Sequence, residues 1–167
     1  MEIETRIQDF VIREATASDV PLIRSFICEL ADYEKLSHEM AATDEMLEEA
    51  LFGHRKVAEV ILGYYHGEPV SFAVFFHNFS TFLGRPGIYL EDLYVKPDMR
   101  KKGFGRVMLS YLARLACERK CGRFEWSVLD WNEPALKFYR AIGAKPMDEW
   151  TMQRLTGDSL KKLADEF

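Results

Sequence analysis

Apolar residues recur along several segments of the chain with the period of a helix. From Val20 they return every three or four positions as far as Tyr33, and the polar residues before Val20 can cap a helix. A second helix is predicted from Thr43 to Phe52, where Gly53 follows. The same reasoning predicts a third helix after Gly105, a short fourth helix after Asn132 and a short polar helix near the C-terminal end.

Strand-like segments lie between these helices. They are short runs rich in β-branched and aromatic residues, and turn residues bound them. The segments predicted to form strands are 10–15, 57–65, 70–76, 87–95, 123–130 and 150–155. Because hairpins and strand–helix–strand units both occur, the order predicts a single domain over residues 1–167 of the α+β, or mixed α/β, class.

The overall composition limits the function classes. The 167 residues are 48% hydrophobic, enough for a sizeable core, and the net charge of -5 argues against general nucleic-acid binding. The first ten residues lack the apolar run of a signal peptide, and no stretch approaches the roughly 20 apolar residues of a membrane span. Three cysteines, few and odd in number, are interpreted as reduced thiols of a cytoplasmic protein without a metal site.

The densest positive charge lies in the loop before the third predicted helix. Three consecutive cations, Arg100, Lys101 and Lys102, precede Gly103 and Gly105. A helix start has unpaired N–H groups and partial positive charge, and glycines let a ligand approach those amides closely. The segment therefore predicts a site for an anion such as phosphate or pyrophosphate, and the alternative is a turn with a solvated basic face.

Two familiar phosphate motifs do not fit this loop. A P-loop needs a lysine followed by serine or threonine after its second glycine, but Arg106 and Val107 follow Gly105. The dinucleotide fingerprint needs a third small residue, and Met108 stands at that position. The glycines alone therefore leave the anion site and the solvated turn equally open.

The pattern Arg100-x-x-Gly103-x-Gly105, after a strand and opening a helix, resembles the acetyl-coenzyme A signature of the GCN5-related N-acetyltransferase (GNAT) superfamily. The segments IREATASDV, LADYEKLS, YLEDLYVKPDMRKKGFG and VLDWNEPALKFYRAIGA resemble, in order, its diamine branch, the spermidine/spermine and thialysine acetyltransferases. The resemblance runs from about residue 11 to about residue 155. It implies a GNAT-like fold, a single domain with a central mixed, mostly antiparallel sheet flanked by helices, and acetyl-CoA as co-substrate.

Acetyl transfer to an amine needs a base, because an alkylammonium with a pKa near 10.4 is mostly protonated at pH 7. Glu91 and Asp92 are neighbours in the strand YLEDLYV, so we expect opposite faces unless a bulge intervenes, with Tyr89, Glu91 and Leu93 on one face. The resemblance implies that Glu91 deprotonates the amine through water and that Asp92 helps to bind the cationic acceptor. The alternative for Glu91 is an ion pair or hydrogen bond to a neighbouring loop.

Tyr139 and Asn132 belong to the fourth predicted helix. Tyr139 follows helical spacing, so it either packs in the core or, as the resemblance implies, protonates the departing thiolate as general acid. Asn132 is a plain helix cap, and in the resembled family it also contacts the pantetheine arm.

Acceptor recognition is implied for Glu29, as a carboxylate for a distal ammonium, and for Trp150, as an aromatic wall. The alternative for Glu29 is a solvated helix face. Polyamine-type relatives carry an aspartate and a tryptophan where this chain has Ser80 and Phe82, which favours a shorter amine such as a diamine or a lysine-like amino acid.

The resemblance thus implies an acetyl-CoA-dependent N-acetyltransferase for a small primary amine, with direct transfer and, as is common in the family, a homodimer. Two alternatives stay open: a protein or peptide N-acetyltransferase, and a non-catalytic acyl-CoA-binding module, which would not need both Glu91 and Tyr139. The implied coenzyme A contacts are Leu93, Tyr94, Val95, Arg100, Lys101, Lys102, Gly103, Phe104, Gly105, Arg106, Asn132 and Tyr139.

Overall fold

The computed structural model describes residues 1–167, which divide into two compact units, Met1–Ser127 and Val128–Phe167. The first unit contains a sheet, three α-helices and short 3-10 turns. Its elements are β1 (Glu2–Glu4), β2 (Phe10–Glu14), α1 (Val20–Glu34), α2 (Asp44–Phe52), β3 (Glu59–Tyr65), β4 (Glu68–Ser80), β5 (Arg85–Val95), α3 (Phe104–Glu118) and β6 (Phe124–Trp126).

The six strands form one sheet in the order of the chain, from β1 to β6. All neighbouring strands are antiparallel except β5 and β6, which are parallel and are joined through α3. The sheet is therefore mixed and mostly antiparallel, and the predicted mixed α/β fold is confirmed.

Helix α1 covers one face of the sheet because its apolar residues recur at helical spacing. Ile23, Phe26 and Leu30 are buried on this stripe, and the Phe26 ring stacks on Phe72 of β4 with 5.3 Å between centroids. Each such side chain contributes about 1.5–3 kcal/mol by leaving water. The remaining buried members of this cluster are Leu51, Val60, Leu62, Val74 and Tyr94.

Helix α3 packs on the opposite face. Its first residue, Phe104, is buried, and its ring lies 4.3 Å from that of Phe10 in a stacked arrangement. Gly63 makes room for Phe10, since a Cβ there would come within 2.2 Å of the Ser71 hydroxyl and 2.7 Å of the Phe10 ring. The N-terminal end of α3 is thus fixed by aromatic packing against the sheet.

The second unit contains α4 (Glu133–Ala141) and α5 (Gly157–Ala164). The predicted cap is confirmed, because the Asn132 side chain accepts a hydrogen bond from the Ala135 amide at 3.4 Å. Gly143 follows α4 with a φ of 89°, in the left-handed region that favours glycine after a helix. No helix of the chain has both the length and the apolar character needed to cross a bilayer.

One strand prediction is wrong, a second strand is shorter than predicted, and one strand was missed. Residues 150–155 form no strand, because an extended segment needs a pairing partner and this unit contains no strand. The strand predicted over 123–130 is limited to Phe124–Trp126, because its pairing with β5 ends at Leu90. The missed strand β1 has only three residues, two of them glutamates, and so carries no hydrophobic period.

Candidate active site

A β-bulge in β5 separates the two adjacent carboxylates. Asp92 pairs with Val74 and Leu90 pairs with Phe75, so the register with β4 shifts by one residue and Glu91 has no opposite residue. Glu91 is exposed, whereas Asp92 is half-buried. The sequence left open whether a bulge interrupts the alternation of side chains in this strand. The structure contains that bulge, and it lies at the predicted general base, Glu91.

The bulge also corrects the predicted arrangement of side chains on β5. Tyr89 pairs with Phe76 and Leu93 pairs with Ala73, and these β4 residues are three apart, so they point to opposite faces. The expectation that Tyr89, Glu91 and Leu93 share one face is wrong, because the extra residue reverses the alternation beyond Leu90.

Asp92 lies in an acidic environment next to helix α1. Burial is the main cause that raises the pKa of Asp92 to about 6, and the negative charges of Glu91 and Glu34 raise it further. Burial also raises the pKa of Glu34, the last residue of α1. Glu34 was not predicted as a site residue, although it lies in the segment LADYEKLS. Its effect on Asp92 depends on the approach of α1 to β5, which the sequence does not show.

Glu29, the predicted acceptor carboxylate, is half-buried on α1 and is not a solvated helix residue. Its Oε2 accepts a hydrogen bond from the Tyr94 hydroxyl at 3.1 Å. Tyr94 is only 4% exposed. Burial and the neighbouring Glu29 carboxylate raise the pKa of Tyr94 to about 12, so the phenol stays protonated and donates. Because this side chain faces α1, any contact of Tyr94 with a cofactor on the other side of β5 is made by its backbone.

The C-terminal half of β5 has a free edge. Strand β6 pairs with Ile88, Tyr89 and Leu90 only, whereas pairing with β4 continues to Val95. Backbone groups from Glu91 to Val95 that point away from β4 therefore have no strand partner on that side. This stretch contains Leu93, Tyr94 and Val95, which are among the coenzyme A contacts that the resemblance implies.

The glycine loop begins directly after this edge. A 3-10 turn, Pro97–Met99, leads to Lys101 and Gly103, whose φ angles of 64° and 89° lie in the left-handed region. Gly103 is the N-cap of α3 and gives no side-chain cap, so the amides of the first turn are available to a ligand. A Cβ on Gly105 would lie 3.7 Å from a Val95 methyl group, which places this helix start beside the end of β5. The arrangement fits an anionic group at the helix start.

The cations of the loop differ in their surroundings. The Arg100 Nε donates to the Val95 carbonyl at 3.0 Å, and its guanidinium lies 4.2 Å from the centroid of the Tyr33 ring. The Lys102 ammonium lies 5.5 Å from the Tyr65 ring and 3.3 Å from the Met99 sulfur. The remaining predicted phosphate ligands with charge, Lys101 and Arg106, have exposed side chains.

Three predicted site residues belong to the second unit. Asn132 caps α4, and Tyr139 is half-buried on that helix, with its ring 5.5 Å from that of Phe138. Trp150 is 73% exposed, in a segment without regular structure. Their contacts with coenzyme A and with an acceptor stay predictions. Within the first unit, the structure brings together Glu34, Glu91 and Asp92, and it joins Glu29 to Tyr94.

Comparison with known proteins shows the family to which the chain belongs. Residues 24–144 match the model of the acetyltransferase (GNAT) family. The chain is 37% identical to a thialysine N-epsilon-acetyltransferase of Bos taurus, with 92% of this chain and 96% of the relative covered. It is 30% identical to an L-ornithine N5-acetyltransferase of Arabidopsis thaliana, with 91% and 86% covered.

A solved structure has the same fold. It is an integron cassette protein from the mobile metagenome of V. cholerae, with a TM-score of 0.79 and 28% identity, and the match covers 95% of this chain and 99% of that protein. The chain therefore belongs to the GNAT acetyltransferase family, and it is an acetyl-transferring enzyme.

Proposed function

We propose that this enzyme transfers the acetyl group of acetyl-CoA directly to the primary amine of a small cationic molecule. The observation that carries the proposal is the position of the carboxylates Glu34, Glu91 and Asp92. Glu91 and Asp92 lie where β5 loses β6 as a partner, in the strand that ends beside the open start of α3, and Glu34 at the end of α1 is close enough for its charge to raise the pKa of Asp92. An amine-binding and proton-accepting cluster thus adjoins an anion site.

Coenzyme A fits the groups on the α3 side. The first-turn amides of α3, from Gly103 to Arg106, would bind the pyrophosphate, and the exposed Lys101 would add Coulomb attraction. The free edge of β5 between Glu91 and Val95 would pair with the amide-containing arm and would place hydrogen-bond donors at the thioester oxygen. Asn132 and Tyr139 are assigned to the same cofactor through the family resemblance.

The proposed reaction balances without a metal or an oxidant. The amine nitrogen attacks the thioester carbon, a C–N bond forms, the C–S bond breaks, and the products are an acetamide and the coenzyme A thiol. The ammonium first loses one proton toward Glu91 through water, so that the neutral amine attacks, and the nitrogen loses a second proton to water as the C–S bond breaks. The departing thiolate gains one proton from Tyr139; exchange with solvent then reprotonates Tyr139 and deprotonates Glu91, so the net reaction releases one proton. Exposure suits Glu91 to this role, because water can reach its carboxylate at the bulge.

The acidic cluster determines the class of acceptor. Half-buried carboxylates attract an ammonium more strongly than exposed ones, because water screens them less. Asp92 and Glu34 would bind the cationic part of the acceptor, and Glu29 would extend the site along α1. Trp150 is assigned to the acceptor through the family resemblance alone. Ser80 is buried and its hydroxyl accepts from the Leu83 amide at 3.3 Å, so this position serves the hairpin turn. A short diamine or an amino acid with a side-chain amine therefore fits better than a long polyamine.

The names of two relatives point to the same class, since thialysine and L-ornithine each carry an amine on an amino-acid side chain. We further propose a cytoplasmic homodimer, on the basis of the family resemblance and the cysteine content.

Thiol release from acetyl-CoA tests the function. The panel contains thialysine, L-ornithine, L-lysine, putrescine, spermidine and a basic peptide, each at pH 7 and pH 9. We expect release with one or more of the small amines, faster at pH 9, and mass spectrometry should find the mono-acetylated product. Release with the peptide alone would favour a protein acetyltransferase. Binding of acetyl-CoA with no release from any amine would favour the acyl-CoA-binding module.

A further inference from the structure

A continuous set of contacts connects the cofactor loop to the acceptor-side helix α1. Arg100 follows the 3-10 turn after β5, and its Nε donates to the Val95 carbonyl at 3.0 Å, which closes the turn between strand and loop. The same guanidinium lies 4.2 Å from the Tyr33 ring of α1 and 5.6 Å from the Tyr94 ring of β5. Arg100 thus holds the loop against two aromatic rings, Tyr33 of α1 and Tyr94 of β5.

Tyr94 is the common member of these contacts. Its ring is buried against α1, with its centroid 6.1 Å from that of Phe26 and the planes tilted by 59°. Its hydroxyl donates to the Glu29 carboxylate at 3.1 Å, while its ring faces the Arg100 guanidinium. One rigid side chain therefore contacts both an acceptor-side carboxylate and the cation that fixes the cofactor loop.

We propose that Tyr94 is a positioning residue that couples cofactor binding at the start of α3 to acceptor binding at Glu29. The inference rests on the proposed function, and it assigns to Tyr94 and Arg100 a role beyond that reaction. The Tyr94 hydroxyl holds Glu29 in one orientation. The Tyr94 and Tyr33 rings hold Arg100, and Arg100 orients the loop that presents the α3 amides.

The physical reason for coupling is that the contacts depend on geometry. A guanidinium is planar and packs flat on an aromatic ring while it donates a hydrogen bond in its own plane, and an ammonium cannot do both. An ordered Arg100 thus favours one loop position and one Tyr94 position together. Coupling between two binding equilibria is reciprocal, so coenzyme A should raise the affinity for the amine by the same factor by which the amine raises the affinity for coenzyme A.

The test uses Tyr94→Phe, Arg100→Lys and the double variant. Tyr94→Phe removes only the hydroxyl and keeps the ring. Calorimetry measures the affinity for coenzyme A and for thialysine. Each compound is titrated into free protein and into protein saturated with the other compound, and the ratio of the two affinities is the coupling factor. Initial rates with acetyl-CoA give the separate KM values and kcat.

We expect Tyr94→Phe to weaken thialysine binding about tenfold, because a hydrogen bond to a charged group is lost. Coenzyme A affinity should stay within about twofold, since the ring packing on Arg100 remains. We expect Arg100→Lys to weaken both ligands by about fivefold and to bring the coupling factor close to one. The double variant should lose less thialysine affinity than the product of the two single losses, because both act through Tyr94.

Tyr64→Phe is the matched control. The Tyr64 hydroxyl accepts a hydrogen bond from the Arg13 guanidinium at 2.6 Å, and the same guanidinium lies 4.9 Å from the Tyr64 ring. The variant therefore removes a tyrosine hydroxyl bonded to a charged group on β3 and keeps the contact between ring and arginine. This variant should bind both ligands like the wild type.

Two results would overturn the inference while leaving the proposed function intact. One is acetyl transfer by the wild type with unchanged thialysine affinity in Tyr94→Phe. The other is a double variant whose loss of thialysine affinity equals the product of the losses in the two single variants. A wild type that neither binds nor acetylates thialysine, ornithine or any other amine of the panel would overturn both proposals.

Discussion

The carboxyl of Asp92 should reduce the stability of the fold as it ionises. Its pKa is raised from 3.8 to about 6, chiefly by burial and then by the charges of Glu91 and Glu34. A group whose pKa is raised on folding binds its proton more tightly in the folded state, so the contribution of Asp92 to stability is highest below pH 4 and falls as the pH rises through 6. We therefore expect Asp92→Asn to remove a pH-dependent destabilisation.

The magnitude follows from the difference between the two pKa values. A shift of one unit corresponds to 1.36 kcal/mol, so the change from 3.8 to about 6 corresponds to about 3 kcal/mol at full ionisation. Above pH 7, Asp92→Asn should thus raise the free energy of unfolding by about 2–3 kcal/mol relative to its effect at pH 4. Asp92→Asn should gain stability and lose amine acetylation together, since a residue that destabilises the fold at a functional site is a common cost of activity.

Urea denaturation of both proteins at intervals between pH 4 and pH 8 measures this difference. The control is Glu118→Gln, which removes an exposed carboxylate on α3 that pairs with Arg114 and should give a nearly constant difference of less than about 1 kcal/mol. A difference between Asp92→Asn and wild type that does not change with pH would refute the reasoning. The single substitution Glu91→Gln, with Asp92 kept, should lower the pKa of Asp92. The loss of stability that follows ionisation of Asp92 should then occur at lower pH.

Three further predictions concern catalysis and packing. Glu91→Gln should lower kcat about 10²–10⁴-fold while calorimetry finds coenzyme A affinity unchanged, because only proton removal is lost. Tyr139→Phe should lower kcat by a similar factor across the pH range, because the proton donor to the departing thiolate is lost. Gly63→Ala should lower the free energy of unfolding by more than about 2 kcal/mol in thermal denaturation, because the new Cβ meets Ser71 and Phe10.

Each of these has its own control and its own contrary result. Glu118→Gln should keep the kcat of the wild type, and full turnover by Glu91→Gln at neutral pH would exclude Glu91 as the base. A Tyr139→Phe variant with wild-type rates across the pH range would remove the general-acid assignment. Gly67→Ala is the packing control: Gly67 has a φ of 81° with open space around it, so only the backbone conformation costs energy, about 1 kcal/mol. Equal losses at Gly63 and Gly67 would show that crowding at Gly63 is not the cause.

Periodicity and cap chemistry predicted most of the fold, because they are local properties. The α1 stripe that contains Ile23 and Phe26 was visible as helical spacing, Asn132 caps α4 as predicted, and Thr43 caps the helix that was predicted to begin there. The prediction of a strand over 150–155 was wrong because a strand is not a local property. Strand formation depends on a partner elsewhere in the chain, and alternation alone cannot supply one.

The candidate site was predicted in composition better than in arrangement. The carboxylates Glu91 and Asp92 were predicted as site residues from the sequence, but the bulge that separates them depends on the register with β4, which no local pattern encodes. Glu34 was missed because its contribution depends on the approach of α1 to β5. Arg100 was predicted as a phosphate ligand, and its contacts with Tyr33 and Val95 depend on the folded loop.

The bulge in β5 has a consequence for the length of the chain. Since Asp92 and Leu90 pair with consecutive residues of β4, removing Glu91 would leave a regular strand with Leu90, Asp92 and Leu93 each on its present face. Glu91 is in that sense one residue more than the sheet requires. Packing and pairing give no reason to retain it, and the interruption of the ladder is a cost. The bulge is thus the feature that presents, at this strand edge, the carboxylate that we propose as the base.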